Sequence, residues 1–421
     1  MVNPGRRKLV ELEALRGIAA MIVFLHHFLL LIAPRLHGRN FPDDPIALVR
    51  TPLFALVNGS AAVAVFFVLS GFVLTVGAME DRDWRQFLIG VLKRWPRLAL
   101  LVVVVNIASA IFFMLGLYRD SMWFNLHNYA AADTFEHAAS VVRGAVAEGL
   151  FWTFVNGKAD FNTSLWTMHY ELFGSFAAYV TGLVLISQKS FVRSMAGGVI
   201  VLLLTATLTG EGGVYYAMLI IGALIARICL ERDTVAHALP FMNPWRGPIA
   251  LAVISLSVIL FGFDGYSKPV GFYIFMASLG SPKAEPLIHA AAAVAIVVVV
   301  LFYDPIQKRL MGPAAGLLGQ LSFPIYLVHL PILCGFIAPI HSGLADRLGS
   351  VAAAPLAFAL SVALTLIVAY PLAHLDAWWV RKLRAMAARL ATALRQAIGQ
   401  FDNEAPHLAD MGEGTNPTAT R

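Results

Sequence analysis

Apolar positions along this chain come in long runs rather than in alternation. Runs of 17–25 residues recur between Leu15 and Trp379, each bounded by polar or basic stretches. That is the length an α-helix needs to cross about 30 Å of hydrocarbon. The pattern predicts ten spans, at roughly 15–33, 54–77, 98–117, 164–187, 194–209, 213–229, 248–263, 286–303, 314–338 and 351–379. Between the third and fourth lies 118–163, a mixed aromatic and polar segment too long for an ordinary connection. It reads as a structured or partly re-entrant functional loop. No internal repeat is evident, which argues against the common secondary-transporter architectures.

Composition makes this a membrane pattern. Of 421 residues, 59% are hydrophobic and only 13% charged. The mean hydropathy is +0.73. A soluble domain carries nearer 25% charge. The fold class predicted is an all-α integral membrane protein with about ten transmembrane helices. The net charge of +6 fits a cytoplasmic surplus of Lys and Arg. No basic–aromatic cluster points to nucleic acid. Arg6, Arg7 and Lys8 set the N-terminus inside, and alternation through ten spans sets the C-terminus inside too. On that topology the inner segments hold 21 Lys and Arg and the outer loops 9. The first span lacks a small-x-small cleavage site and reads as retained. Cys229 and Cys334 lie in apolar segments and form neither a disulfide framework nor a zinc spacing. Residues 1–380 form the membrane domain, 381–398 a basic amphipathic inner segment, and 399–421 a polar tail expected to be disordered.

Polar residues inside apolar helices are costly and mark candidate sites. Leu15–Phe28 reads LRGIAAMIVFLHHF. Arg16 and His27 are eleven positions apart, hence on one helix face about 16 Å apart, while His26 points about 80° away. Either residue also fits a bland role, Arg16 snorkelling at a helix end and His27 sitting at the interface. Glu171 stands seven residues after Ser164, on one face of the fourth span. Its carboxylate orients His27, grips a hydroxyl, or pairs two helices. Ser322, Tyr326 and His329 follow i, i+4, i+7 spacing and form one polar stripe, which fits interhelical hydrogen bonds or the lining of a substrate path. Pro324 and Pro331 are expected to bend that span. Ser70-Gly71 fits close helix packing.

Five stretches, in order, resemble the membrane-bound acyltransferase family 3. LRGIAAMIVFLHHF resembles its first-helix signature, which maps Arg16 and His27 but not His26. FFVLSGFVL (Phe66–Leu74) resembles its second-helix motif, and LKRWPRL (Leu92–Leu98) its inner arginine motif at Arg94 and Arg97. SLWTMHYELFGS resembles its Trp-to-Glu signature at Trp166 and Glu171, with His169 where a small residue is usual. LGQLSFPIYLVHLPI resembles its late signature at Ser322, Tyr326 and His329, with Phe323 in place of the usual Tyr. The resemblance covers most of 8–380.

The resemblance implies an O-acyltransferase of the plasma (inner) membrane. The donor is acyl-CoA, specifically acetyl-CoA, and no metal is expected. The acceptor is a surface glycan, glycolipid or lipid-linked saccharide, with a diffusible small molecule as the alternative. His27 is the general base, with Glu171 catalytic beside it. Arg16, Arg94 and Arg97 bind the donor's phosphates, and Trp166, Ser322, Tyr326 and His329 line the acceptor path. A proton-coupled transporter using Arg16, His27 and Glu171 is the reading from a different class.

Overall fold

The computed structural model describes residues 9–118, 126, 134–231, 245–279 and 282–410, with side chains beyond 389 outside it. Arg6, Arg7, Lys8, Arg232 and residues 411–421 of the expected tail therefore lie outside the described residues. The described chain is helical, and among these residues ten helices are long and apolar enough to cross a membrane.

The first are α1 (Val10–Ile32), α2 (Gly59–Glu80) and α3 (Trp84–Met114). A short helix, α4 (Phe135–Ala147), continues through a wide π-type turn to Val155. Then come α5 (Thr167–Ser187), α6 (Phe191–Leu208), α7 (Gly213–Leu230) and α8 (Arg246–Phe261). The last are α9 (Glu285–Phe302), α10 (Pro313–Ile332), α11 (Ala338–Leu348) and α12 (Ser350–Asp410).

Local chemistry sets several of these starts. The Asn58 side chain accepts from the N–H groups of Ser60 and Ala61, capping α2, and Asp83 accepts from Arg85 N–H to cap α3. Such caps satisfy donors that a helix start leaves open. The Asp83 cap explains a difference from the sequence reading. The basic stretch before residue 98 is helix rather than loop, and α3 runs 31 residues, about 46 Å, with Pro96 inside it. Ahead of α5, Asn162 supplies the capping oxygen for the turn Thr163–Trp166.

Two further expectations shift. The segment 118–163 contains α4, and with its continuation the apolar stretch Phe135–Val155 is 21 residues, long enough to span. Trp95 lies against Leu150 and Phe151, and Asn106 bonds Glu148 further along, so α4 runs antiparallel to α3. The chain then doubles back: Phe161 N–H donates to Glu148 at 3.2 Å, and Ser109 donates to the Phe161 carbonyl. The chain thus returns beside its own helix before α5 begins. Conversely α8, at 16 residues, is shorter than the ten spanning helices. The sequence stops seeing α4 because Glu136, His137, Arg143 and Glu148 interrupt its apolar face.

Within residues 1–374, one of two compact units, α2 lies at the centre. It packs on α1, α5, α7 and α9, while α1 packs on α10 and α3 on α5. Small residues permit the closest approaches. A Cβ at Gly71 would sit 1.8 Å from the Leu219 carbonyl oxygen, and one at Gly222 would sit 2.2 Å from that of Val68. Such small-residue contacts are how helices associate without a hydrophobic drive. The other unit, 375–421, contains the end of α12, which remains helical through Asp410.

Candidate active site

Three arginines meet in one cavity. Arg16 of α1 and Arg94 and Arg97 of α3 line a space of about 850 Å³, including its mouth, with Glu171, Thr167 and Tyr326 on the facing walls. The i, i+3 spacing of Arg94 and Arg97 becomes neighbourhood because α3 is helical there. Arg94 is buried, and its guanidinium ion-pairs with Glu171 Oε1. Ser70 donates to the same oxygen at 2.8 Å. Arg94 Nε–H donates to Ser175 Oγ at 2.7 Å, and Ser175 in turn donates to the Glu171 carbonyl. A buried pair of this kind needs such extra hydrogen bonds to be tolerated.

The imidazoles form a second cluster at the other end of α1. His27 Nδ1 lies 3.0 Å from the Val23 carbonyl and 3.1 Å from His329 Nε2. His329 Nδ1 lies 2.7 Å from the Tyr326 carbonyl, so it donates there and its Nε2 carries a lone pair. Both neighbours of His27 Nδ1 are then acceptors. That assigns the proton to His27 Nδ1 and the lone pair to His27 Nε2, the tautomer in which Nε2 can accept a proton. His26 has a different setting: Nδ1 meets the Val57 carbonyl at 2.9 Å and His37 Nε2 at 3.0 Å, and its ring fills the space beside Gly59. Burial, then nearby Arg39, lowers His37 to about 3, so it stays neutral at physiological pH.

The structure brings together Arg16, Arg94, Arg97, Glu171 and Tyr326, and separately His27 with His329. The two groups join at Tyr326, whose backbone holds His329 and whose hydroxyl donates to the Ser164 carbonyl and meets Thr167 Oγ1 at 2.7 Å. His27 itself is not part of the cavity lining. Glu171 bonds Arg94 and Ser70, and neither His27 nor His329 is a described hydrogen-bond partner. Ser322 is fully buried and donates to its own helix at Gly319, 2.7 Å away. Trp166 faces a different cavity, edge-to-face with Tyr170 and Tyr215. His169 spends both nitrogens, on the Phe154 carbonyl and the Tyr216 hydroxyl, each at 2.8 Å.

Ser70, Ser175 and Thr167 complete the site, and the sequence reading did not place them there. Ser70 carried a signal, a lone hydroxyl inside FFVLSGFVL; Gly71 beside it does the close packing expected of the pair.

Among the described residues, ten helices able to cross a membrane accompany a buried arginine–carboxylate cavity and a pair of contacting imidazoles. The sequence profile of the acyltransferase domain matches residues 9–374, nearly the whole chain. The chain belongs to the acyltransferase 3 family, and is an enzyme that moves acyl groups. It is similar to the O-acetyltransferase PaAT-1 of Phomopsis amygdali, 24% identical over 370 residues, covering 76% of this chain and 71% of that protein. No solved structure matches it significantly.

Proposed function

We propose that this protein transfers an acetyl group from acetyl-CoA to a hydroxyl of a surface glycan, glycolipid or lipid-linked saccharide. The observation that carries the reading is the convergence of Arg16, Arg94 and Arg97 on one cavity walled by Tyr326, the residue that leads to His329 and His27. Arginine suits phosphate because its planar fork binds two oxygens at once. Coenzyme A brings those phosphates, with Arg16 and Arg97 as their main partners and Arg94 held ready by Glu171. Glu171 then acts as a positioning residue for Arg94, and the contact with His27 belongs to His329. Tyr326 walls the donor cavity and shares its helix with Ser322 and His329, so that helix ties the cavity to the imidazole pair.

In the step itself, the acceptor oxygen attacks the thioester carbonyl carbon. The hydroxyl proton passes to His27 Nε2. The C–O ester bond forms as the C–S bond breaks, and the leaving thiolate takes the proton from His27, releasing coenzyme A as a free thiol. A positioned histidine contributes about 10²–10⁴-fold to such a step. No covalent acyl-enzyme is required.

The test is purified protein with radiolabelled acetyl-CoA and candidate glycans, read as free thiol released and label transferred. Acetyl transfer by the wild type, lost in a folded His27→Ala variant, supports the reading. Wild-type turnover in His27→Ala removes His27 from the chemistry, and pH-driven uptake without transfer removes the enzyme reading of this site.

A further inference from the structure

A second cavity backs onto the arginine cavity. Its space is about 700 Å³, and Trp166, Tyr170, Tyr215, Tyr266, Glu285 and His289 give it its character. The aromatic wall is tight: ring centroids lie 5.7 Å apart for Trp166–Tyr170, 5.4 Å for Trp166–Tyr215 and 4.7 Å for Tyr170–Tyr215. Val63 of α2 lines both cavities. On α5 the turn is divided, with Trp166 and Tyr170 on this side and Thr167, Met168 and Glu171 on the other. One turn of helix thus separates the two spaces.

The polar floor is unfinished. Glu285 and His289, one turn apart on α9, are each 1% exposed. Glu285 Oε2 accepts from Gly265 N–H at 2.8 Å. His289 Nε2 meets the Phe263 carbonyl at 3.0 Å, so it carries the proton and Nδ1 carries the lone pair. Asn58, also near Nε2, spends its amide hydrogens on the carbonyls of Phe261 and Phe263. Glu285 Oε1 and His289 Nδ1 lie 3.7 Å apart, neither atom with a hydrogen-bond partner, while the Ser60 hydroxyl in the cavity lining hydrogen-bonds the Glu285 side chain. Two buried acceptors side by side are costly unless donors reach them. The cation closest to them is committed elsewhere: Arg39 gives Nε and Nη2 to Asp264 Oδ1, and its Nη2 stays 4.0 Å from Glu285 Oε1.

A ligand that satisfies this site supplies hydroxyl hydrogens on one edge and a flat C–H face to the aromatic wall. We propose that the second cavity is the acceptor subsite, and that it takes a pyranose-type sugar ring whose hydroxyls donate to Glu285 Oε1 and His289 Nδ1. The inference rests on the acyl-transfer reading above. Arg39 and the residues following α1 flank this cavity, whereas Arg16 near the start of α1 flanks the other. Donor and acceptor therefore approach from opposite ends of α1, and Val63 is the residue the two cavities share. Trp166 belongs to this acceptor wall and not to the donor cavity.

The experiment uses the full chain in lipid nanodiscs with acetyl-CoA, follows release of free thiol, and supplies methyl β-glucopyranoside or butanol as the hydroxyl probe. The variants are Glu285→Gln, which keeps the size of the side chain, and Tyr266→Ala, at a position 59% exposed where truncation gives up the ring's contact with the Arg39 guanidinium. The glycoside is expected to accelerate thiol release in the wild type. Each variant is expected to raise the KM for the glycoside about tenfold, the size of one lost charge-assisted hydrogen bond or stacking contact, with the KM for acetyl-CoA within about twofold of wild type. No thiol release under any condition overturns the acyl-transfer reading and this inference with it. Release that the glycoside fails to accelerate, or an unchanged glycoside KM in Glu285→Gln, overturns the acceptor subsite alone. If Glu285→Gln also loses its acetyl-CoA KM, Tyr266→Ala decides by the same criterion.

Discussion

At the scale of single residues, the proposed step turns on which imidazole nitrogen holds a proton. His329 fixes that for His27 by offering a lone pair to Nδ1. His27→Ala is expected to lower kcat by about 10²–10⁴-fold, and His329→Ala by less, because Val23 still accepts from Nδ1. Steady-state thiol release in both variants checks the order. Equal losses would mean that His329 touches substrate. Glu171 tests differently. Glu171→Ala leaves Arg94 buried without its carboxylate, a loss of about 3–5 kcal/mol of stability, and Arg94→Ala leaves the carboxylate in the same position. The Arg94→Ala, Glu171→Ala double variant is expected to be more stable than either single variant, by thermal unfolding in nanodiscs. The neighbourhood of Arg94 and Arg97 was legible from spacing alone, whereas the structure puts Arg16 with those arginines and His27 with His329. The bond from Glu171 to Arg94 was not, since 77 residues separate them and no periodicity links two helices. Nor could spacing separate Ser322 from Tyr326 and His329: all three share a stripe, but the Ser322 hydroxyl turns back to Gly319.

At the scale of helices, apolar run length found most of the elements and misjudged those with charge inside them. α3 begins at Trp84 because Asp83 caps it, so Arg85, Lys93, Arg94 and Arg97 ride on a helix that hydropathy alone starts at 98. The same blindness hid α4. Close approach was legible at Gly71, where Ser70-Gly71 sits inside an unbroken apolar run. Its consequence is testable. Gly71→Val drives side-chain atoms into the Leu219 carbonyl, at a site where even a Cβ would lie 1.8 Å away, so α2 and α7 must separate. A loss of about 3 kcal/mol or more is expected, seen as a collapse of the monodisperse peak on size exclusion. Gly343→Ala is the control. It lies within α11 with nothing within 4 Å of its Cβ, so the change is expected to stabilise by about 0.5–1 kcal/mol.

At the scale of the whole molecule, the directions of the helices decide which substrate comes from which side. The contacts give relative directions within 1–374. α5 runs antiparallel to α3, since Arg82 near the start of α3 reaches the Ile186 carbonyl at the end of α5 while Arg94 meets Glu171 near its beginning. The short return from α4 into α5 lets both follow α3 from the same side, so α4 need not shift the alternation that the ten-span reading assumed. The absolute sense is an expectation from the charge pattern alone, 21 Lys and Arg on the segments read as inner against 9 on those read as outer. On that orientation Asp81, between α2 and α3, faces the cytoplasm, and Asp43, between α1 and α2, faces out; both are surface positions, Asp43 being exposed and Asp81 likewise. Cysteines placed there, in a chain with Cys229 and Cys334 replaced, are expected to differ in intact cells. Asp43→Cys reacts with a membrane-impermeant maleimide directly, and Asp81→Cys reacts only after permeabilisation. The reverse pattern would put the arginine cavity on the outer side, away from cytosolic acetyl-CoA, and the donor assignment of Arg16, Arg94 and Arg97 would fail with it.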